Sequence, residues 1–245
     1  VSVRLGQLED VGRSESGELG LRVFVGSRSA SVATSDLSED AVATLVERAV
    51  AMAREAPEDK WAGLAPAERL LHGAPPLLDL DDHRDPEPQA LRDLALGAED
   101  AARAVPGVTN SEGGGASASR SVWALATSHG FAGAYSTTGY GLSASVPAGE
   151  GGNMQRDYAH HAARHASRLD APEEIGRRAG ERAVARLNPG KLPSGEMPVV
   201  FDPRVGSSLV GHLIGAISGQ SIARKTSFLL DALGTEVFAP GVTVR

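Results

Sequence analysis

Alternation of apolar residues with glycine, serine and other small residues across residues 107–168 constrains the fold of this chain more than any other feature. A two-residue period is typical of a β-strand, because successive side chains point to opposite faces of the sheet. The segment therefore predicts long antiparallel strands. Gly113-Gly114-Gly115 lacks the lysine and the strand-loop-helix setting of a phosphate loop, so it predicts a bulge or a flexible hairpin instead. The alternating positions are Val122, Ala124, Ala126, Phe131, Gly133, Tyr135, Tyr140, Leu142, Ala144 and Val146.

Three other segments carry the helical period, with apolar residues recurring every three or four positions. The predicted helices lie near residues 38–56, 86–104 and 171–188. Ser38 is a predicted N-cap of the first helix, because its hydroxyl can accept a hydrogen bond from a free backbone N–H. Asp170 and Glu173 have the spacing of a capping box ahead of the third helix.

The N-terminal region predicts strands followed by a long loop. Residues 1–34 alternate between apolar and polar side chains around glycine-containing turns, which predicts a meander of three antiparallel strands. Residues 57–85 are rich in proline and aspartate and predict a loop. Within this loop a group of acidic residues and a histidine could suggest a cation site: Asp79, Asp81, Asp82, His83 and Asp85. Its spacing does not match a calcium loop, so we predict a solvated loop.

These elements together predict an α+β fold, in which antiparallel sheets pack with helices. The net charge of −7 and the pI near 5.5 argue against direct binding of nucleic acid. The chain contains no cysteine, which excludes disulfides and thiolate metal sites. No apolar run approaches the roughly 18 residues of a membrane span. The first residues alternate like a strand and do not resemble a signal peptide, so we expect no membrane association and a cytoplasmic protein.

Three histidines form a possible metal site. His161 and His165 have the spacing H-x-x-x-H, which on a helix would place two imidazoles on one face. The third histidine is His160, and the preceding run Met154-Gln155-Arg156-Asp157-Tyr158 predicts a strand. On a strand, positions 161 and 165 lie about 13 Å apart at ~3.3 Å per residue, which is too far to bind one ion.

The segment from Val199 to Leu229 carries the strongest functional signal. Val199-Val200-Phe201-Asp202-Pro203 predicts a strand, over 197–201, that leads into a helix opened by Pro203. This arrangement resembles the point where the TldD/PmbA family, also called modulators of DNA gyrase, carries the zinc motif H-E-x-x-x-H. The positions that match the motif are Gly211, His212 and Ala216. The run Arg224-Lys225-Thr226-Ser227-Phe228-Leu229 resembles the PmbA branch of the family, also called TldE.

The residues at these three positions determine whether this chain can bind a catalytic zinc. A catalytic zinc usually takes three protein ligands and leaves one position for water. Histidines on successive turns of a helix share one face, and a nearby glutamate can accept the proton of the zinc-bound water. Gly211 and Ala216 offer no lone pair, and His212 alone cannot hold a catalytic zinc. We therefore expect no metal, cofactor or catalytic residue in this chain, and we interpret His212 as a structural histidine.

The resemblance implies a subunit of a cytoplasmic TldD/TldE zinc metallopeptidase complex that processes or degrades small unfolded peptides. Zinc is expected in a TldD-like catalytic partner, and this chain is expected to be the non-catalytic half of a heterodimer. The glycine-rich strands of residues 107–150 could offer sheet edges to an extended peptide.

Two alternatives stay open at this point. The first is an independent metallopeptidase whose ligands come from the histidines of this chain or from a further C-terminal part. The second is a regulatory or binding protein that acts on DNA gyrase without proteolysis.

The resemblance also gives the expected domain organisation. Residues 1–190 would form an N-terminal α+β domain that lacks its first helix, and residues 195–245 would begin a truncated C-terminal domain. Members of the family are much longer, so we expect the chain to be a fragment.

Overall fold

The computed structural model describes residues 1–244. The chain divides into two compact units, Val1–Pro189 and Gly190–Arg245, and each is described by itself. The strands are β1 (Ser2–Arg4), β2 (Gln7–Asp10), β3 (Leu19–Val25), β4 (Arg28–Thr34), β5 (Gly113–Ala126), β6 (Ala132–Ala148) and β7 (Gln155–Ala163). The α-helices are α1 (Glu39–Glu55), α2 (Pro88–Arg103), α3 (Pro172–Ala185), α4 (Pro203–Ile217) and α5 (Gly219–Ala223).

The centre of the first unit is a five-stranded antiparallel sheet with the order β2-β1-β5-β6-β7. The alternating segment forms its three long strands, as predicted. β5 and β6 pair continuously from Gly113↔Ser145 to Ala126↔Ala132, and β7 pairs with the second half of β6. Helices α2 and α3 pack on one face of this sheet. The predicted α+β fold, with antiparallel sheets packed with helices, is confirmed.

Small residues let the helices and the sheet come close together. A Cβ added at Gly114 would lie 2.3 Å from the carbonyl oxygen of Ala95 on α2. A Cβ at Gly176 on α3 would lie 2.1 Å from the carbonyl oxygen of Ala98. Neither position can accept a larger residue without backbone movement, since protein interiors are close-packed. The buried apolar core at this contact comprises Val3, Ala95, Ala98, Ala102, Ala116, Leu142, Ala144, Val146, Ala148, Ala159, Ile175, Ala179 and Ala183.

This close contact corrects the interpretation of the triple glycine. Gly113, Gly114 and Gly115 belong to β5 and pair in register with β6, and the last two also pair with β1, so they form neither a bulge nor a hairpin. The glycine at position 114 is required because α2 crosses the strand at this point. Periodicity alone could not show which helix would lie there.

The predicted helix starts were confirmed in one case and wrong in another. The hydroxyl of Ser38 accepts a hydrogen bond from the backbone N–H of Ala41 at 3.4 Å, as expected of an N-cap. Helix α3 has no side-chain cap, so the predicted capping box of Asp170 and Glu173 does not form. The backbone N–H of Asp170 instead donates to His161 Nδ1 at 3.0 Å, which satisfies it from a neighbouring strand.

The three-stranded meander predicted for residues 1–34 is also wrong. This region contains four strands in two sheets: β1 and β2 join the five-stranded sheet, while β3 and β4 form a separate hairpin that contacts α1. Leu5 and Gly6 make the tight turn between β1 and β2, with φ of 51° and 75°. A leucine with positive φ is uncommon, so the turn signal at this position is limited to Gly6.

The second unit contains α4 and α5 and otherwise irregular backbone. Pro203 opens α4 behind the N-cap Asp202, as predicted. The strand predicted for residues 197–201 does not form, because no segment within the described chain pairs with it. None of the helices among residues 1–244 combines the length and apolarity needed to cross a membrane.

Candidate functional site

The three motif positions lie on α4, in the second unit. Gly211 and His212 are exposed, whereas Ala216 is 8% exposed. Positions 211 and 216 are five residues apart, and at 3.6 residues per turn they point about 140° apart around a regular helix. On a regular helix these two positions therefore do not lie on one face. In addition, neither Gly211 nor Ala216 has a side chain that could bind a metal.

The three histidines of the predicted metal site, on and after β7, each make a different contact. His160 is exposed on β7 and stacks on Tyr158 with ring centroids 5.9 Å apart. His161, also on β7, accepts the N–H of Asp170 at Nδ1. This hydrogen bond places the ring proton on Nε2, because Nδ1 cannot both accept and donate along the same direction. His165 lies beyond the end of β7, where its Nε2 is 2.9 Å from the carbonyl oxygen of Asp79.

The described residues contain no group of three or more His, Cys, Asp or Glu side chains placed to hold a metal ion. This holds for the histidines on and after β7 and for the acidic group of residues 79–85 alike. The potential metal ligands that the sequence suggested thus do not come together at one site in the described residues.

Residues 78–85, which we call the strap, form a loop that is docked on the sheet at Asp81 and Asp82. The predicted solvated loop is therefore wrong for these two residues, whereas Asp79, His83 and Asp85 are exposed, as predicted. The side chain of Asp81 is 5% exposed and that of Asp82 is 9% exposed. Asp81 accepts two hydrogen bonds from the guanidinium of Arg120 on β5, at 3.0 and 2.9 Å. Asp82 accepts the backbone N–H of Ala166 at 2.9 Å. The polar composition of the segment favours a solvated loop, and the sequence does not indicate that Arg120 and Ala166 are its partners.

Thr138 on β6 connects the strap to the end of β7. Its backbone N–H donates to the carbonyl oxygen of Leu80 at 2.9 Å. Its hydroxyl accepts the N–H of Asp82 at 2.8 Å and donates to the carbonyl oxygen of Arg164 at 2.7 Å. Thr138 is 2% exposed, so these bonds are shielded from water. The strap therefore extends the edge of β6 beyond the last residue paired with β7.

These contacts shift the pKa values of the strap. A hydrogen bond from the Ser136 side chain is the largest influence on Asp81. Together with the N–H of His83 and the Arg120 guanidinium, it lowers the pKa of Asp81 to about 2 against the opposing effect of burial. The pKa of His165 is raised, first by its hydrogen bond to the Asp79 carbonyl and then by the nearby carboxylates. The charged forms of Asp81, on the strap, and of His165, beyond the end of β7, are thus both favoured.

The glycine-rich strands have strand partners on both sides only at one end of their hairpin. β1 pairs with β5 at Gly114 and Gly115, and β7 pairs with β6 from residue 140 to residue 148. Among the strands of the described residues, residues 117–126 of β5 pair only with β6, and residues 132–139 of β6 pair only with β5. This part of the hairpin therefore has open sheet edges, within the residues 107–150 where the sequence suggested them.

Sequence reasoning also missed two arginines. Arg164 and Arg168 are exposed, follow β7 directly and line a cavity together with His165. The sequence does contain three basic residues within five positions at the end of a predicted strand, but this pattern alone does not predict a cavity. The strap completes this cavity from a part of the chain about 80 residues earlier.

Comparison with known sequences identifies the family. Sequence models of the PmbA/TldA metallopeptidase family match the chain in three parts. Domain 1 matches residues 1–53, the central domain matches residues 81–187, and the C-terminal domain matches residues 194–245.

Two curated relatives match almost the whole chain. Metalloprotease PmbA of Escherichia coli O157:H7 is 39% identical over 246 residues, covering 100% of this chain and 54% of the relative. The metalloprotease PmbA homolog of Haemophilus influenzae is 37% identical over 238 residues, covering 97% of this chain and 52% of the relative. The chain thus spans about half the length of the curated relatives that it matches.

Solved structures share the fold. A proposed modulator of DNA gyrase from Bacteroides thetaiotaomicron is 27% identical, with a TM-score of 0.78 over 88% of this chain and 50% of that one. TldE from Thermococcus kodakarensis is 18% identical, with a TM-score of 0.71 over 94% of this chain and 52% of that one, and this likeness concerns the fold alone. The family matches, the identity to the PmbA relatives and the shared fold lead to one conclusion: the chain belongs to the PmbA/TldE family of metallopeptidase homologues.

Proposed function

We propose that this protein is the metal-free subunit of a TldD/TldE-type zinc metallopeptidase complex in the cytoplasm, which processes or degrades small unfolded peptides. The observation that carries the proposal is the composition of α4. At the positions that match the H-E-x-x-x-H motif, this chain has Gly211, His212 and Ala216. Two of these residues have no metal-binding atom.

The chemistry follows from what these residues lack. A zinc peptidase needs protein ligands for the metal, an open position for water and a base that takes the proton of that water. At these three positions the chain offers only an exposed imidazole and no carboxylate. A partner that carries the intact motif would supply the ligands and the base. This chain would supply a complementary surface and contacts to the peptide.

The comparisons support the family. That a partner subunit, and not this chain, binds the zinc is our proposal. The relatives from Escherichia coli and Haemophilus influenzae are named metalloproteases, and the Thermococcus kodakarensis structure is named TldE. The first two names favour a second candidate, which is an independent metallopeptidase with ligands outside α4. A regulatory role at DNA gyrase is favoured by the description of the Bacteroides thetaiotaomicron structure.

One experiment separates these candidates. The protein is purified alone and after co-expression with a homologue that contains H-E-x-x-x-H. Zinc content and hydrolysis of an unstructured peptide are then measured for each preparation. We expect the two proteins to co-elute, with zinc and chelator-sensitive hydrolysis present only in the complex. A matched preparation, in which the glutamate of the partner's motif is changed to glutamine, should co-elute but not hydrolyse.

Each other outcome identifies a different function. Zinc-dependent hydrolysis by the protein alone would establish the independent peptidase and contradict the proposal. Failure to associate with any such homologue, combined with a change in DNA gyrase activity on addition of the protein, would support the regulatory role instead.

A further inference from the structure

The imidazole of His165 lies between two aspartates of the strap. Its Nε2 is 2.9 Å from the carbonyl oxygen of Asp79 and 3.4 Å from Oδ1 of the same residue. Its Nδ1 is 3.4 Å from Oδ1 of Asp82. The side chains of His165 and Asp82 are only 15% and 9% exposed, so water has little access to this contact. The strap therefore places oxygen atoms against both nitrogens of one ring.

This arrangement fits the doubly protonated ring. A carbonyl oxygen and ionised carboxylates only accept hydrogen bonds, whereas a neutral imidazole has one N–H group and one lone pair. With the proton on Nε2, the lone pair of Nδ1 would face Asp82. With the proton on Nδ1, the lone pair of Nε2 would face the carbonyl oxygen of Asp79. Only the imidazolium has an N–H group for each side.

The carboxylate of Asp82 stays ionised in the range where histidine titrates. Its pKa is lowered, first by the hydrogen bond from the N–H of Ala166 and also by the charge of Arg84. The other titratable or charged groups around this contact lie on the strap, on β6 and along the cavity at the end of β7. They are Arg84, Tyr140, His161, Arg164 and Arg168. The negative charge that faces Nδ1 of His165 is thus constant near neutral pH.

Other contacts hold the centre of the strap independently of His165. Asp81 pairs with the guanidinium of Arg120, and its pKa of about 2 keeps it ionised. On either side of this anchor, Asp79 and His83 have positive φ angles of 50° and 56°. Residues other than glycine rarely adopt this conformation, so contacts must hold it. Loss of the His165 contact would therefore release the residues before Asp81, with Asp81 as the pivot.

The residues before Asp81 form one wall of a cavity. This cavity has a volume of about 440 Å³ and lies between residues 78–80 of the strap and the end of β7 with the residues that follow it. His165 lines the cavity opposite Asp79. Movement of residues 78–79 away from His165 would open the cavity to solvent on this side.

We propose that His165 is a pH-sensitive switch, which holds the start of the strap over the cavity while both ring nitrogens carry a proton and releases it when one proton is lost. The inference concerns a conformational change within the first unit and does not rest on the proposed function.

The direction of the pH dependence follows from the docked state. The pKa of His165 is raised there, first by the hydrogen bond to the Asp79 carbonyl. Docking is therefore fully favoured below the ordinary histidine value of about 6.5 and is lost as the pH rises through the raised value. The strap is expected to be closed in mildly acidic solution and open in mildly alkaline solution.

The test measures a distance across the closed strap. The chain has no cysteine, so two introduced cysteines carry the only spin labels. Leu77→Cys labels the exposed residue directly before the strap, and Ala185→Cys labels an exposed position on α3. Pulsed electron paramagnetic resonance then gives the distance distribution between pH 6 and pH 9. We expect one narrow distance at pH 6 and a decrease of about twofold or more in its population by pH 9.

Histidine variants connect the change to His165. His165→Gln is neutral at every pH and should remove the pH dependence of the distance. His83→Gln removes the exposed histidine of the strap itself, and His160→Gln removes an exposed histidine of β7. Both should retain the dependence of the parent protein. Thermal unfolding of each variant checks that the fold is retained.

The parent protein provides a second measurement that needs no histidine variant. The midpoint of strap release should coincide with the NMR titration midpoint of His165. A separation of more than about one pH unit, the usual spread of histidine values among proteins, would overturn the inference. An unchanged distance from pH 6 to pH 9, a pH dependence that persists in folded His165→Gln, or its loss in His83→Gln would do the same.

Discussion

The carboxylate of Glu99 on α2 accepts a hydrogen bond from the backbone N–H of Leu5 at 2.7 Å. The same carboxylate accepts the N–H of Gly6 at 2.9 Å and the hydroxyl of Ser111. Leu5 and Gly6 are the two turn residues between β1 and β2, and their positive φ angles point both N–H groups at one anion. Glu99 is 0% exposed. One buried carboxylate therefore ties the first hairpin to α2 and to the segment that enters β5.

Removal of this carboxylate should destabilise the first unit. Glu99→Ala would leave the buried Ser111 hydroxyl and the partly buried N–H groups of Leu5 and Gly6 without this acceptor, and a lost hydrogen bond to a charged group costs about 1.5–3 kcal/mol. We expect a decrease in the free energy of unfolding of about 3 kcal/mol or more. Asp100→Ala, at the exposed neighbouring position on α2, should change it by less than about 0.5 kcal/mol. Equal effects of the two substitutions, measured by denaturant unfolding, would contradict this role for Glu99.

The Asp81 contact should give the protein an acid-sensitive contribution to stability. The pKa of Asp81 in the folded protein is about 2, below the value of about 3.9 expected in the unfolded chain. A lowered folded-state pKa stabilises the protein above the unfolded pKa, and this stabilisation is lost as the pH falls towards the folded value. We expect Asp81→Asn to be less stable than the wild type at neutral pH. The difference should shrink between pH 4 and pH 2, and a difference that stays constant over this window would refute the assignment.

The pKa of His165 should lie above the ordinary value for a histidine. Its pKa is raised, first by the hydrogen bond to the Asp79 carbonyl, with a contribution from the charge of Asp82. Because the folded-state pKa is raised, the stabilisation is complete below the unfolded pKa and is lost as the pH rises through the folded one. Asp82→Asn retains an acceptor for the N–H of Ala166 but removes the charge. The NMR titration midpoint of His165 should move downwards in this variant, and an unchanged midpoint would exclude a charge contribution from Asp82.

Restoring the zinc motif should not create a peptidase. Gly211→His/His212→Glu/Ala216→His would place two imidazoles and a carboxylate at the motif positions of α4. A catalytic zinc also needs a third protein ligand and supporting groups that hold the geometry. We expect weak zinc binding at most and no hydrolysis of an unstructured peptide above background. Chelator-sensitive hydrolysis by this variant would show that the chain contains a nearly complete active site.

The sequence predicted those parts of the fold that depend on local periodicity. The long strands β5, β6 and β7 and the helices α1, α2 and α3 follow from two-residue and 3.6-residue patterns. The N-cap at Ser38 also follows from a local preference. In each case the signal and the structure lie within the same short segment.

Features that depend on distant partners were not predictable. The anion-binding turn at Leu5 requires Glu99, which lies 94 residues away. The burial of Asp81 requires Arg120, and the loss of the capping box at Asp170 requires His161. The cavity at the end of β7 requires the strap. From the sequence alone, such polar residues are predicted to be solvated, because their partners lie on other elements.

The central claim is that this protein does not hold the zinc of the peptidase. Its most direct test is the zinc content of the protein purified alone and dialysed against zinc-containing buffer, determined as moles of metal per mole of protein. The account predicts far less than one equivalent and no change on His212→Ala. One tightly bound equivalent that His212→Ala removes, accompanied by hydrolysis that a chelator abolishes, would contradict it.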